Sequence, residues 1–259
     1  DLLSLCGEGE EVEWFVLDFV DAFWQIHNRP EERYLFSVRV KGTYFVYLRT
    51  AQGSKNAPLT WGRIAALVCR MGQALFDSVQ VRLRCYVDDP NTSIRGTRCH
   101  RNRCIALLVM LWRCIGLDLA FSKGARGTTV EWIGVLLTSH PDFVKVTLKQ
   151  SFLDELRALI SDTSKRNLVR LKELRSLAGK ANRVATLVYT WRPFLSDLWA
   201  AISDILSPNR QSHAPANMCW TRQISDCLHW MLCFLDGVQG SLIRIFLLSS
   251  YLHVGTRVE

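Results

Sequence analysis

Two adjacent aspartates, Asp88 and Asp89, follow directly on an apolar, β-prone run from Val81 to Val87. A second β-prone run, Thr92-Ser93-Ile94, comes almost at once. Two extended segments so close together read as a hairpin with two acids at its tip. Acids are poor strand formers. A pair at a turn is either a solvated bend, since aspartate is a common turn residue, or a chemical device. A partner upstream favours the second.

That partner is Val16-Leu17-Asp18-Phe19-Val20-Asp21-Ala22-Phe23. Trp14 to Leu17 is a fully apolar strand candidate that ends on Asp18. A buried strand that delivers a carboxylate at its end places a ligand on a rigid element. With Asp18 beside the hairpin tip, two or three carboxylates converge. Two unit charges about 4 Å apart repel by about 4 kcal/mol at an effective dielectric of about 20. Such a cluster needs a shared proton or a bound cation. Oxygen-only ligands point to Mg²⁺ or Mn²⁺ rather than zinc. Two hard cations held by carboxylates serve in-line phosphoryl transfer.

The order of the blocks carries a resemblance. Leu17-Asp18-x-x-Asp21-Ala22-Phe23, then Ala51-Gln52-Gly53-Ser54-x-x-Ala57-Pro58, then Tyr86-Val87-Asp88-Asp89 resembles reverse transcriptases, more narrowly those of retroviruses and retroelements. Gly116-Leu117-x-Leu119-x-x-x-Lys123 is similar to the family's block with a lysine near the incoming triphosphate, and Glu131-Trp132-Ile133-Gly134 to its primer-gripping hairpin. These blocks stand in the family's order over residues 14–147. Leu171 to Gly179 is similar to the helical segment after the polymerase core in LTR-type and tyrosine-recombinase-type retrotransposons.

The resemblance implies an RNA-directed DNA polymerase joining a deoxynucleoside triphosphate to a primer 3′-hydroxyl on an RNA or DNA template. It implies Asp18, Asp88 and Asp89 as catalytic residues, and these with the Phe19 carbonyl as ligands of Mg²⁺ or Mn²⁺. The backbone amides of Asp21 and Ala22 would face the triphosphate, and Phe23 would sit under the sugar, leaving no room for a 2′-hydroxyl. Gln52 and Gly53 would contact nucleotide or template. Lys123 would protonate pyrophosphate or balance its charge. Trp132, Ile133 and Gly134 would hold the primer end. The bland readings are a core anchor for Phe23, an ordinary capped helix start for residues 51–58, an exposed lysine for Lys123 and a strand with a glycine bulge at Gly134.

Strands joined by hairpins and interleaved with helices argue for an α+β fold, an antiparallel sheet with helices on one face; the resemblance makes this a polymerase palm. The expected domains are a palm with partial fingers at 14–150, a helical thumb-like region at 151–206, and a helical connection or tail at 207–259 that leads toward a ribonuclease H domain. The resemblance implies a fingers region before the first strand, most of which is expected to be absent from this stretch. Hairpin strands are expected at Tyr34–Val40 and Thr43–Leu48 after a helical turn at Pro30, at 82–95, and at Val130–Leu137 with Phe143–Leu148. Leu117–Phe121 reads as a strand. Helices are expected from Pro58 to about Val79, with an apolar stripe of Ile64, Leu67, Val68, Met71, Leu75 and Phe76, and from Cys99 to Cys114. After Ser151 the chain turns helical. Leu171, Leu174, Ala178, Ala181, Ala185 and Val188 recur at helical spacing, with Arg170, Lys172, Arg175, Lys180 and Arg183 on the other faces. That basic surface suits a duplex backbone or simply a solvated face. Trp191-Arg192-Pro193 marks a break, Ser207–Asn217 a linker, and 220–235 a last helix.

A net charge of +8 suits a polyanionic partner. Nine cysteines, an odd number, carry no disulfide framework. Cys99-His100-x-x-x-Cys104 and Cys227-x-His229-x-x-x-Cys233 read as buried thiols on helices rather than metal ligands. No targeting segment is visible, and the late apolar stretch Leu242–Val254 is too short to span a membrane, so an intracellular setting without membrane contact is expected.

Two features depart from the family. Pro90 follows the acids and removes a ladder donor, so the return strand and Asp89 are expected to be displaced. Ala51 stands where a proline often precedes the glutamine. These leave a second reading beside the polymerase: a catalytically silent nucleic-acid-binding protein with the same fold.

Overall fold

The computed structural model describes residues 2–6, 10–207, 213–238 and 241–247. The middle of the expected linker, 208–212, and the late stretch beyond 247 lie outside them. Contacts divide the chain into two compact units. One holds Asp1–Ile133 and Leu137–Val144, the other Gly134–Leu136 and Lys145–Phe246.

The first unit opens with β1 (Glu11–Val16), followed by a hairpin of β2 (Ser37–Val40) and β3 (Thr43–Val46). Then come α1 (Ala57–Gln73), β4 (Val81–Tyr86), β5 (Asp89–Gly96), α2 (Arg98–Cys114), β6 (Ala125–Gly127) and β7 (Thr129–Trp132). The central sheet runs β4-β5-β1-β6. Its pairings are antiparallel, with Val16 opposite Asn91 on one side and Ala125 on the other. Residues Leu17, Phe19, Trp61, Ala65, Val68, Leu108 and Trp112 form the core between sheet and helices. The Phe19 ring meets Trp61 and Trp112 edge-on at 5.5 and 5.3 Å, a preferred aromatic geometry. The α+β class and the helix-backed antiparallel sheet are as expected.

Several elements differ from the sequence expectation. α1 ends at Gln73, not near Val79. The Gln73 side chain instead clamps the next strand, donating to the Val81 carbonyl and accepting from the Leu83 amide, both at 2.9 Å. Its buried face is Ala57, Trp61, Ala65, Val68 and Gly72, while Leu67, Met71 and Leu75 are exposed. At Gly72 the helix lies too close to its neighbours for a side chain. A Cβ on Gly72 would stand 2.8 Å from Leu108 Cδ1 and 3.0 Å from Leu83 Cδ2.

Tyr34 and Leu35 belong to a 3₁₀ turn, Pro30–Leu35, rather than to a strand. Leu117–Phe121 forms only an isolated bridge, Phe19 with Leu119, before a 3₁₀ turn at Phe121–Lys123. Pro90 does not displace the return strand: it lies in β5 opposite Cys85, and Asp89 pairs with Tyr86. Antiparallel pairs alternate between hydrogen-bonded and open positions. Tyr86 and Asp89 close the turn, so Pro90 falls at an open position toward β4, where no donor is needed. Its carbonyl accepts from the Leu17 amide at 3.2 Å.

The expected strand Val130–Leu137 is broken. Ile133 and Gly134 take left-handed φ values of 45° and 80°, turning β7 into β8 (Val135–Ser139). β9 (Phe143–Leu148) follows, then α3 (Gln150–Ser164), β10 (Leu168–Arg170), α4 (Leu171–Leu187), α5 (Arg192–Leu206), β11 (Met218–Trp220), α6 (Ser225–Leu235) and β12 (Arg244–Leu247). The strands of this region order as β12-β9-β8-β7 and β10-β11.

The second unit is mostly helical. α4 buries Leu174, Leu177, Ala178, Ala181, Val184 and Ala185, close to the expected stripe. The break after it is a 3₁₀ turn, Tyr189–Trp191, with proline in the first turn of α5. The last helix starts at Ser225, because Met218–Trp220 pairs with β10 as a strand. Cys104 and Cys227 are buried, but Cys99 is exposed. Among the described residues no helix is long and apolar enough to cross a membrane.

Candidate active site

The β4–β5 hairpin turns on Val87 and Asp88, closed by the Tyr86–Asp89 pair. Val87 has a left-handed φ of 57°. For a β-branched residue this is a strained conformation that costs about 1–3 kcal/mol and persists only where the surroundings impose it. Trp61 imposes it here: its indole N–H donates to the Val87 carbonyl at 2.7 Å. The Cys85 thiol reaches the same oxygen at 3.4 Å.

Asp18 follows the end of β1 and sits beside this tip. The Phe19 amide donates to the Asp88 carbonyl at 3.1 Å, and the Ala120 amide to the Asp18 carbonyl at 2.9 Å. The chain at Asp18 is therefore held between the hairpin and the segment carrying Lys123. Amide and carbonyl of one extended residue point the same way, so the Phe19 carbonyl faces the Asp88 side while its ring fills the core. The Asp18 side chain is 11% exposed and ion-paired with the Lys123 ammonium.

The charges feel one another. Burial pushes the Asp89 carboxyl above its ordinary range, the carboxylates of Asp88 and Asp18 add to this, and Lys123 offsets it. The Lys123 ammonium is held above its usual value, first by its hydrogen bond to Asp18 and then by the carboxylates. Asp18, Asp88, Asp89 and Lys123 thus form one electrostatic cluster. Trp132 joins it, its indole donating to the Asp89 carbonyl at 3.0 Å.

Asp21 is exposed with a left-handed φ of 46° and starts the 3₁₀ turn Ala22–Gln25. Ala22 is buried, and Phe23 packs half-buried against the core. Gln25, which sequence reasoning passed over, clamps this turn: its side-chain amide bonds the Val20 carbonyl and both backbone groups of Asp118. Trp61 was missed as well. The signal for each was only a large polar-tipped side chain within an apolar run. Gln52 and Gly53 lie on an exposed turn, Gly53 at a φ of 91°, with the Ser54 amide bonded to the Ala51 carbonyl. Among the described residues no hydrogen bond links that turn to the acids. Ile133 is 41% exposed. Gly134 belongs to the second unit, where a Cβ would stand 2.8 Å from the Arg183 guanidinium.

Among the described residues no three His, Cys, Asp or Glu side chains gather closely enough to hold a metal ion. In chemistry the cluster fits a hard divalent cation. It offers carboxylate oxygens and a strand-end carbonyl, and Asp89 bears the like-charge load that a cation relieves. Lys123 supplies positive charge at Asp18 instead.

A helix-backed antiparallel sheet with acids at the end of its central strand and at a neighbouring hairpin tip defines a polymerase-like fold. The chain belongs to the reverse transcriptase (RNA-dependent DNA polymerase) family, whose sequence model matches residues 6–137. Among solved structures it is similar to a foamy viral protease-reverse transcriptase in complex with an RNA/DNA hybrid, with a TM-score of 0.63 and 18% identity over 85% of this chain and 27% of that one. Foamy viral protease-reverse transcriptase with double-stranded DNA is similar at a TM-score of 0.61 and 19% identity, over 87% of this chain and 42% of that one. The chain thus spans less than half of these relatives, and the likeness is one of fold. No curated protein matches the sequence.

Proposed function

We propose that the chain carries the polymerising centre of an RNA-directed DNA polymerase from a retroelement. The observation that carries this reading is that Asp18, at the end of the central strand, lies beside the hairpin that bears Asp88 and Asp89, with the Phe19 amide hydrogen-bonded to the Asp88 carbonyl. In the reaction the primer 3′-oxygen attacks the α-phosphorus of a deoxynucleoside triphosphate and pyrophosphate leaves. Catalysis of this kind is mostly positioning and charge neutralisation. Asp18, Asp88, Asp89 and the Phe19 carbonyl would hold Mg²⁺ or Mn²⁺, which supplies a lowered hydroxyl pKa and neutralises phosphate charge.

The remaining roles belong to the chain. The amides of Asp21 and Ala22 face the triphosphate. Phe23 excludes a 2′-hydroxyl, so Phe23→Ala raises ribonucleotide incorporation. Lys123 leaves Asp18 and neutralises or protonates the departing pyrophosphate. Gln52 and Gly53 contact nucleotide or template, and Trp132, Ile133 and Gly134 hold the primer end. The domain reading is a palm at 14–150, a thumb at 151–206 and a connection beyond. In the second unit, Arg170, Lys172 and Arg175 line an open cleft of about 570 Å³, suited to backbone phosphates.

Lys123 on Asp18 favours a second reading: a nucleic-acid binder without catalysis. Primer extension with Mg²⁺ or Mn²⁺ separates the two. Incorporation that disappears in Asp88→Asn supports the polymerase. Tight template–primer binding with no incorporation supports the silent binder.

A further inference from the structure

The half-buried side chain of Gln25 spends its whole amide on backbone partners. Its Nε2 donates to the Val20 carbonyl and, at 3.1 Å, to the Asp118 carbonyl. Its Oε1 accepts from the Asp118 amide at 3.1 Å. These partners leave no choice of amide orientation, since two are carbonyls and the third is an N–H. The Val20 amide donates to the same Asp118 carbonyl at 3.0 Å. Gln25 therefore staples the turn after Asp18 to the segment that runs on through Ala120, whose amide holds the Asp18 carbonyl, to Lys123.

The bond to Val20 fixes a direction. In a planar trans peptide the carbonyl and the following amide point opposite ways. With the Val20 carbonyl drawn to Gln25, the Asp21 N–H is turned away from Gln25. Asp21 is exposed, and its left-handed φ of 46° is one that aspartate reaches more readily than most residues. Its own carbonyl accepts from the Trp24 amide at 2.7 Å. Both carbonyls flanking Asp21 are thus engaged, whereas among the described residues its amide donates to no backbone carbonyl. Backbone N–H groups held outward in such turns are suited to anions.

We infer that Gln25 is a positioning residue for the incoming triphosphate: its side chain pins the Val20–Asp21 peptide so that the Asp21 amide is presented to a phosphate oxygen. The inference rests on the polymerase reading, in which the Asp21 and Ala22 amides face the triphosphate. Gln25 acts through Asp21 and does not itself touch nucleotide or metal in this role. Without its N–H groups the Val20 carbonyl has no side-chain partner, the peptide loses its anchor and the Asp21 N–H loses its fixed aim. A hydrogen bond from an N–H to a charged oxygen is worth about tenfold in affinity.

The test compares the full chain with Gln25→Met, which keeps the length of the side chain and removes its amide. Primer extension with Mg²⁺ is followed over a range of deoxynucleoside triphosphate concentrations. KM for the triphosphate is expected to rise about tenfold, with kcat lowered less than about threefold and template–primer affinity unchanged. A lower melting temperature with the parent's KM would make Gln25 a stabilising contact only and overturn the proposal. Should Gln25→Met not fold, Gln25→Asn, which carries the amide on a shorter stem, decides instead: its KM must rise severalfold, and the parent's KM would count against the idea. A second readout, the thermal stabilisation that a deoxynucleoside triphosphate with Mg²⁺ gives the template–primer complex, needs no turnover. Stabilisation of the parent that is lost in the variant, with no extension by either, sinks the polymerase reading and leaves the role of Gln25 standing. Equal stabilisation and equal KM in both chains sink that role and leave the polymerase standing. A parent that neither extends a primer nor gains stability from the triphosphate overturns both.

Discussion

Trp61 and Val87, on different elements and 26 residues apart, are joined by a single hydrogen bond of 2.7 Å from indole nitrogen to backbone carbonyl. The bond reaches from the buried face of α1 to the strained residue just before Asp88. It ties the placement of an acid to the packing of a helix that carries none of the site's carboxylates.

Trp61→Phe keeps an aromatic ring against Phe19 but removes the donor. A net loss of about 1 kcal/mol is expected in urea unfolding. Primer extension should fall on the order of tenfold, since small misplacements of a reacting group are costly. A lowered unfolding midpoint with full extension would reduce the bond to a stabilising contact.

Val87→Gly should raise stability. Val87 is 45% exposed, so little burial is lost. Glycine adopts a left-handed φ freely, and release of strain is worth about 1 kcal/mol net. Thermal unfolding measures this; a lower melting temperature would show that the valine is not strained there.

Asp89 gives a pH dependence of definite sign. Its carboxyl is raised above an ordinary value of 3.8, so the folded chain binds this proton more tightly than the unfolded chain. Its contribution to stability is full below that value and is lost as pH rises through the raised one. Asp89→Asn removes the loss, and the variant should gain on the parent chain from acid to neutral pH in parallel denaturation series. Adding Mg²⁺ at neutral pH should stabilise the parent chain more than the variant. Equal pH slopes for the two would contradict the clustering of charge.

Arg101 is 4% exposed and ion-paired with Glu11 at 3.2 Å and Glu13 at 3.1 Å. Burial works to raise the Glu13 carboxyl, but the guanidiniums of Arg126 and Arg101 overcome it and hold the group below the usual range. Arg101→Met leaves Glu13 with one partner and should cost about 3 kcal/mol in equilibrium unfolding. Arg101→Lys should recover little, because one ammonium cannot match the forked geometry. A loss under about 0.5 kcal/mol would place the pair among weak surface bridges.

The hairpin at Val81–Ile94, the helix after it and the α4 stripe were legible because local patterns suffice for them. The face of α1 was legible only in part. Counting large apolar residues points to Leu67, Met71 and Leu75, which are exposed. Of the expected stripe Val68 is buried and Ile64 and Phe76 pack against the core, but the helix also buries Ala57, Trp61, Ala65 and Gly72, the last because a side chain there would meet Leu83 and Leu108. Ile133 was read within a strand and instead helps make a turn; its side-chain preference yields to the β7–β8 reversal.

From the sequence alone come the order of the acid-bearing blocks, the α+β pattern and the resemblance to reverse transcriptases, all properties of neighbouring residues. Tertiary structure alone decided that Pro90 fits its strand, that Trp61 holds Val87 and that Lys123 lies on Asp18. The reason is physical. A residue's intrinsic preference acts over a few positions, whereas a hydrogen bond or ion pair between distant segments exists only once packing has set the distance between them.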